Sequence, residues 1–530
     1  MDRKSLSKVI HISSLSGLGM FLPLSEYMTS VFLILLSLNW LVNFRPVLIF
    51  GRLKEEKLSL LFLLTFVVYI FWILNSQNHS VALGALKLKL PILAIALTVI
   101  STPLREASER KIIIYSFILG VTIASVLGSV SWALNHETLS DRRDMSLYIS
   151  HIRLSLMLIM AASMSFYIAL KSANTIEKWV LFMLGIWNIV FMLMLLSFTG
   201  IIISAAIVLF LISRIVCRTS SKVIRYALPA SVFIAVCVIC FFVVKELKYL
   251  FPEQTEIEIN YNELTLSGDT YLHYPERNNR ENGYYVWRYL AYPEMSKEWN
   301  RLSKIAFDSL DNRGHKLEYT LIRYLSSKGL RKDSLGVSSL RSADISLIEA
   351  GYANNIYLEA GTIRIKLYEL FWQIDYYQNG GNPQGHSLTQ RIEFWKTTLR
   401  VSKENILFGT GTGDYKDEIR KQYKGDHSLL EKEFRRSAHN QYFLSLATFG
   451  IFGALIFWFG MISPIRSIRA KGNILFYIFL IVGFMSMIWE DTLETHTGVS
   501  FFVWMYFVAL YYSPDGKDIR LEDWNNGGLE

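Results

Sequence analysis

YALPASVFIAVCVICFFVVK, residues 226–245, contains no acidic or basic residue before Lys245. A helix needs roughly 20 predominantly apolar residues to cross a bilayer. The segment shows no alternation of polar and apolar positions, so it reads as a membrane span rather than a half-buried strand. Just beyond it the character changes. Glu246–Ser437 is polar, and apolar runs return only over 438–512. Cys237 and Cys240 form a C-x-x-C inside the run. A redox or zinc pair needs a polar, accessible setting, so these read as lipid-facing or packed thiols.

Working outward, further spans fall near 9–25, 27–44, 58–75, 83–101, 112–134, 149–170, 178–198 and 199–216, then near 438–463, 473–490 and 497–512. The run 178–216 is too long for one span and divides at Ser197-Phe198-Thr199-Gly200. Met1–Lys8 is basic, but no small-residue cleavage site follows, so the first run reads as an uncleaved span. The expectation is an all-α polytopic membrane protein of about 12 transmembrane helices. Its parts are 1–245 with nine spans, a polar domain at 246–437, 438–512 with three spans, and a cytoplasmic tail at 513–530. The polar domain reads as mostly helical, with an irregular first part, Phe251–Asn282. Across all 530 residues 52% are hydrophobic and 19% charged, against about 25% charged in ordinary soluble domains. This excludes a small secreted module, a disordered chain and a compact cytosolic enzyme.

The net charge of +9 suits cytoplasmic Lys and Arg in a membrane protein better than nucleic-acid binding. With the N-terminus inside, the inner segments hold nineteen Lys and Arg, among them Arg45, Arg52, Arg105 and Arg469. The short outer loops hold only Arg142 and Arg143. Both termini are therefore expected in the cytoplasm and Glu246–Ser437 outside it.

The segment richest in chemistry is Arg435-Arg436-Ser437-Ala438-His439-Asn440-Gln441, running into Gly450-Ile451-Phe452-Gly453. His439 falls where the polar domain re-enters the membrane. On a helix that begins a turn earlier, Arg435 and Arg436 lie at i−4 and i−3, on the same side. Two guanidiniums there keep the imidazole neutral, as a general base requires, and suit a diphosphate. The alternative is an interfacial histidine beside snorkelling arginines. Gly450 and Gly453 put small residues on one helix face for close packing.

Upstream, Phe408-Gly409-Thr410-Gly411-Thr412-Gly413-Asp414 resembles a phosphate loop superficially, but no strand–helix unit surrounds it, so a tight turn is favoured. Arg391, beside Trp395, is a better candidate as a fork-shaped anion ligand; its alternative is a solvated helix arginine. Lys87, Lys89, His151, Arg153, Glu490, Asp491 and Glu494 all fall at outer span ends, on the side of His439. Ionisable groups in such places are costly and usually functional, although any one of them can snorkel. No compact carboxylate cluster suited to Mg²⁺ is evident; Glu490, Asp491 and Glu494 come nearest.

His439-Asn440 with Gly450 and Gly453, preceded by Arg391, Trp395 and the glycine turn, resembles the O-antigen ligase/polymerase family. These are bacterial polytopic glycosyltransferases that use polyprenyl-diphosphate-linked glycans. The layout is similar too, and the ending Trp489-Glu490-Asp491-Thr492-Leu493-Glu494 looks like the versions found in the Bacteroidetes group. The chain departs from the pattern at Ser197–Gly200, where many relatives carry an arginine. The resemblance implies a C-type glycosyltransferase fold in the bacterial inner membrane. It implies transfer of a glycan from undecaprenyl diphosphate to lipid A core or another glycan at the periplasmic face, without a metal, another cofactor or nucleic acid. His439 would match the family's essential histidine, as general base or diphosphate positioner. Arg391 would match a loop arginine that holds the diphosphate, and Arg153 an arginine in an earlier span. Arg435, Arg436, Lys87 and Lys89 remain further diphosphate candidates, with Asn440, His151, Glu490 and Glu494 in support. Transfer to protein hydroxyls is a variant of the same reaction. A lipid-linked oligosaccharide flippase is the alternative from another class, but charges gathered at one face and a single large insertion do not suit repeat symmetry.

Overall fold

The computed structural model describes residues 3–44, 51, 53–102, 104, 106–135, 141–250, 259–425 and 428–512. Arg45, Arg52 and Arg105 of the charge asymmetry, residues 251–258 of the expected irregular part, and the expected tail 513–530 lie outside them. The chain divides into two compact units. One comprises Met1–Ile215, Phe394–Ser428 and Arg435–Glu530; the other Val216–Glu393 and Leu429–Phe434.

The first unit opens with α1 (Arg3–Phe21), α2 (Glu26–Val42), α3 (Lys57–Phe71), α4 (His79–Ser101), α5 (Ala107–Asn135), α6 (His151–Lys171), α7 (Thr175–Met194) and α8 (Phe198–Arg218). Capping residues start many of them. Ser25, Asn78, Ser150 and Asn174 each accept a hydrogen bond from an orphan amide of the first turn. The long run divides at Leu195–Ser197, with Leu196 in the left-handed region at φ 48°; Phe198 already opens α8.

In the second unit follow α9 (Lys222–Leu250), α10 (Tyr292–Leu302), α11 (Leu317–Ser327), α12 (Ser334–Ser338), α13 (Ser342–Glu349), α14 (Ile356–Glu359) and α15 (Thr362–Gln378). The unit boundary at Phe394 falls within α16 (Ser387–Glu404). The first unit then closes with α17 (Tyr415–Gly425), α18 (Gln441–Ile462), α19 (Ile474–Trp489) and α20 (His496–Tyr511). Each expected span contains a helix. Among the described residues, seven helices, α4 to α9 and α18, are long and apolar enough to cross a membrane; α2, α3, α19 and α20 are shorter apolar helices. Cys237 and Cys240 are exposed, free thiols on α9.

At the centre of the first unit stands α20, apolar all round and buried from Thr497 to Tyr511, as such a helix must be. Polar tips tie it to its neighbours: Trp504 Nε1 donates to the Leu15 carbonyl at 3.0 Å and Tyr506 OH to that of Met461 at 2.7 Å. At the end where α20 finishes, Glu56 accepts from Arg469 at 2.7 Å and from Tyr511 at 3.0 Å. The ends of α3 and α19 and the starts of α4, α18 and α20 meet at the opposite end, joined by the contacts described below.

The second unit packs α10, α11 and α13 around Trp299, Leu321, Tyr324 and Ile348. A hairpin pairs Arg280–Glu281 with Tyr284–Tyr285 across Asn282-Gly283, both at positive φ, the pattern of a type I′ turn. Glu281 is 1% exposed. It accepts from Arg323 at 2.7 Å, Asn354 at 2.9 Å, Trp372 at 3.1 Å and Tyr368. Lys332 is buried as well, donating to the Tyr285 and Arg288 carbonyls at 3.0 and 3.2 Å.

Candidate active site around His439

His439 lies just outside α18, in the left-handed region at φ 43°. The helix starts only at Gln441. Asn440 caps it, its Oδ1 accepting from the amides of Tyr442 and Phe443 at 3.0 Å. Arg435 and Arg436 therefore precede the helix in irregular chain, and the helical spacing expected to set them beside the imidazole does not apply. Arg435 instead stacks its guanidinium over Tyr423, 5.7 Å from the ring centroid.

The segment before His439 is fixed by α17. Tyr423 OH donates to the Arg436 carbonyl and Tyr415 OH accepts from the Ala438 amide, both at 3.1 Å. Burial raises the Tyr415 phenol above its ordinary value, so it stays neutral. The start of α18 is sewn to the end of α19 and the turn after it. Asn440 Nδ2 donates to the Ile488 carbonyl at 3.0 Å, Tyr442 OH to Phe484 at 2.9 Å, and Gln441 Oε1 accepts from the Leu493 amide at 3.0 Å.

These ties bring two carboxylates to the imidazole. His439 Nδ1 is 3.6 Å from Asp491 Oδ1 and 3.7 Å from Glu490 Oε2. Asp491 Oδ2 accepts from Ser437 at 2.5 Å, and the Phe394 ring lies 5.7 Å from the imidazole. The His439 side chain keeps 33% of its surface exposed. Carboxylates, rather than the expected pair of guanidiniums, thus face the imidazole and can orient it. The compact carboxylate group that the sequence did not reveal is thus present. His439, Glu490 and Asp491 offer one ligand atom each within 4.8 Å of one another, a set that could hold a divalent cation.

Lys89 lies wholly buried in α4. Its ammonium donates to Glu494 Oε1 at 2.8 Å and to the Leu493 carbonyl. Tyr69 OH, from α3, donates to the same carboxylate at 3.2 Å. Lys89 is thus engaged inside the protein rather than presented to a ligand. Lys87 is exposed on another face of α4; His151 and Arg153 stand half-buried in the first turn of α6. Arg391, half-buried on α16, falls in the second unit. Tyr69, Tyr415, Ser437 and Gln441 escaped the sequence reading. A tyrosine inside an apolar span was the one available signal, since its hydroxyl needs a partner when buried.

The glycine run is a strap, not a phosphate cradle. The amides of Thr410, Gly411 and Thr412 donate to the carbonyls of Ala447, Thr448 and Trp72, and that of Gly413 to Ser76 Oγ, at 2.9 to 3.2 Å. Asp414 accepts from the Gln77 and Asn78 amides at 2.6 and 2.8 Å. Opposite the strap, α18 breaks at Gly450 (φ 63°). In an unbroken helix the Ile451 and Phe452 amides would bond to Ala447 and Thr448. Here they donate to Ile406 and Leu407 at 2.9 and 3.3 Å, so the strap satisfies all four groups freed inside a span. Gly450 serves this break rather than a smooth helix face. Gly453 does allow close packing: a Cβ there would stand 2.5 Å from Trp72.

No curated protein matches the chain. A family model described as O-antigen ligase matches residues 353–458, the stretch that contains Arg391, the strap, His439-Asn440 and the break at Gly450. On that stretch the chain is similar to O-antigen ligases, a match that supports assignment to the O-antigen ligase/polymerase family.

Proposed function

We propose that the protein is a membrane glycosyltransferase that moves a glycan from undecaprenyl diphosphate to an acceptor hydroxyl at the periplasmic face of the bacterial inner membrane. The observation that carries this reading is His439, half-buried just before α18 with two carboxylates on its Nδ1 side. Nε2 accepts the acceptor's proton, the acceptor oxygen bonds to the sugar carbon, and the bond to the diphosphate breaks with its electrons leaving on the phosphate oxygen. Glu490 and Asp491 stabilise the imidazolium as it forms. The diphosphate is already an acidic leaving group and needs cations rather than a proton donor. Arg391, Arg153, Arg435, Arg436 and Lys87 are the proposed source of those cations, with no metal. The Lys and Arg asymmetry supports an external site, residues 246–437 as a periplasmic domain, and cytoplasmic termini.

Ligase and polymerase share this chemistry and differ in the acceptor, lipid A core or another repeat unit. The O-antigen ligase match favours group transfer over the flippase alternative. Deleting the gene and resolving surface glycans on a gel tests the reading. Loss of long chains on lipid A core with free polymer accumulating supports ligation; single-repeat caps support polymerisation; an unchanged pattern overturns both.

A further inference from the structure

We infer that the indole N–H of Trp395 is a ligand-binding donor beside His439, bonding an oxygen of the lipid diphosphate while the rings around it take the first part of the polyprenyl chain. This rests on the reading of the site as one for a polyprenyl-diphosphate-linked glycan. Three ring contacts, measured between centroids, set Trp395 next to the imidazole. Its chain neighbour Phe394 lies 5.7 Å from the His439 ring. Its own ring stands 6.0 Å from Trp489, the residue before Glu490. It stands 5.8 Å from Phe443, in the first turn of α18. The bond from Asn440 to the Ile488 carbonyl holds the same two helix ends together.

Trp395 Nε1 is buried and, among the described residues, has no hydrogen-bond partner. A buried indole N–H ordinarily finds one, and a desolvated donor without one is costly. Other tryptophans of the first unit meet that need inside the protein. Trp72 donates to the Phe408 carbonyl at 2.6 Å, Trp458 to Ser445 at 3.0 Å and Trp504 to the Leu15 carbonyl at 3.0 Å. A tryptophan of the interfacial belt turns its N–H toward water and headgroups; that of Trp395 is enclosed. An indole donates only, so its ligand must bring an acceptor oxygen. The flanking rings of Trp489 and Phe443 give a water molecule no strong partner. An anionic oxygen forms the stronger bond, the more so where the surroundings are apolar. A single ligand that meets both the N–H and the rings is an anionic oxygen joined to an apolar chain. That is the junction of head and tail in a polyprenyl diphosphate.

The test measures binding of two lipids to the full-length protein in detergent by native mass spectrometry. One is undecaprenyl diphosphate without a glycan; the other is undecaprenol, the same chain without the anion. Trp395→Phe keeps an aromatic ring and removes the N–H. Exchanging the Trp395 indole for benzothiophene, with sulfur in place of the N–H, keeps the shape as well. Both should weaken the diphosphate about tenfold and leave undecaprenol within about twofold. In glycan transfer the loss should fall on KM, with kcat within about twofold, because the bond is made in ground state and transition state alike. A merely structural role would weaken both lipids together, or lower Tm with both affinities unchanged. Either result overturns the assignment, as does wild-type affinity for the diphosphate in the two variants. If Trp395→Phe is not recovered in membranes, the benzothiophene protein decides alone. Binding needs no transfer. A protein that holds undecaprenyl diphosphate through Trp395 but moves no glycan would sink the proposed reaction and leave this inference standing.

Discussion

The amide of Ile451 bonds to the carbonyl of Ile406, 2.9 Å away, instead of to Ala447 in its own helix. That exchange joins the strap at 406–414 to the broken span α18, whose first residues follow directly on His439. The strap also bonds to the turn between α3 and α4 through Trp72, Ser76, Gln77 and Asn78. The candidate site is therefore braced by backbone bonds that tolerate only glycine at two places.

Gly409→Ala and Gly450→Ala should each destabilise the protein. The left-handed backbone alone costs a side chain about 1–2 kcal/mol. A Cβ would stand 2.4 Å from the Thr448 oxygen at Gly409 and 2.3 Å from the Leu407 oxygen at Gly450, so the loss should exceed that range. Gly361, with nothing within 4 Å, is the control, expected within about 0.5 kcal/mol. Thermal unfolding of detergent-purified protein measures all three.

The expected spans could be found in the sequence because apolar length is a local property. The break at Gly450 was not visible, because it depends on bonds to a strap some forty residues upstream. The pairing of His439 with Glu490 and Asp491 was hidden for the same reason: it appears only once α18 and α19 lie side by side. Residues 435–436 misled because helical spacing was extended past the true start of the helix, which Asn440, a good capping residue, already marked.

Arg391→Lys should reduce transfer about tenfold or more, since lysine keeps the charge but loses the fork that grips a diphosphate. Initial rates in membranes holding equal amounts of protein measure this. Full activity would assign Arg391 to a structural role on α16.

Lys332 should make the second unit more resistant to opening as pH rises. Burial, followed by the nearby Arg331 charge, pushes its ammonium down to about 7, from about 10.4 in an unfolded chain. Between those values the unfolded chain keeps a proton that the folded chain has released. Stability therefore increases from about pH 7 to about pH 10, and this gain is absent below pH 7. Opening free energies from hydrogen exchange in residues 271–332 should show that slope, and Lys332→Met should flatten it.

Transfer should survive chelation. With cationic side chains holding the diphosphate, EDTA-treated protein should keep its rate within about twofold. Loss of activity restored by Mn²⁺ would instead assign a cation to His439, Glu490 and Asp491, the three residues whose ligand atoms converge.

The most direct measurement uses purified wild-type and His439→Ala protein in proteoliposomes, supplied with an undecaprenyl-diphosphate glycan and an acceptor. The expected result is transfer by the wild type and a loss of about 10²- to 10⁴-fold in the variant, with insertion and abundance equal. Transfer at the wild-type rate by His439→Ala would contradict the assignment of the imidazole as the reacting base.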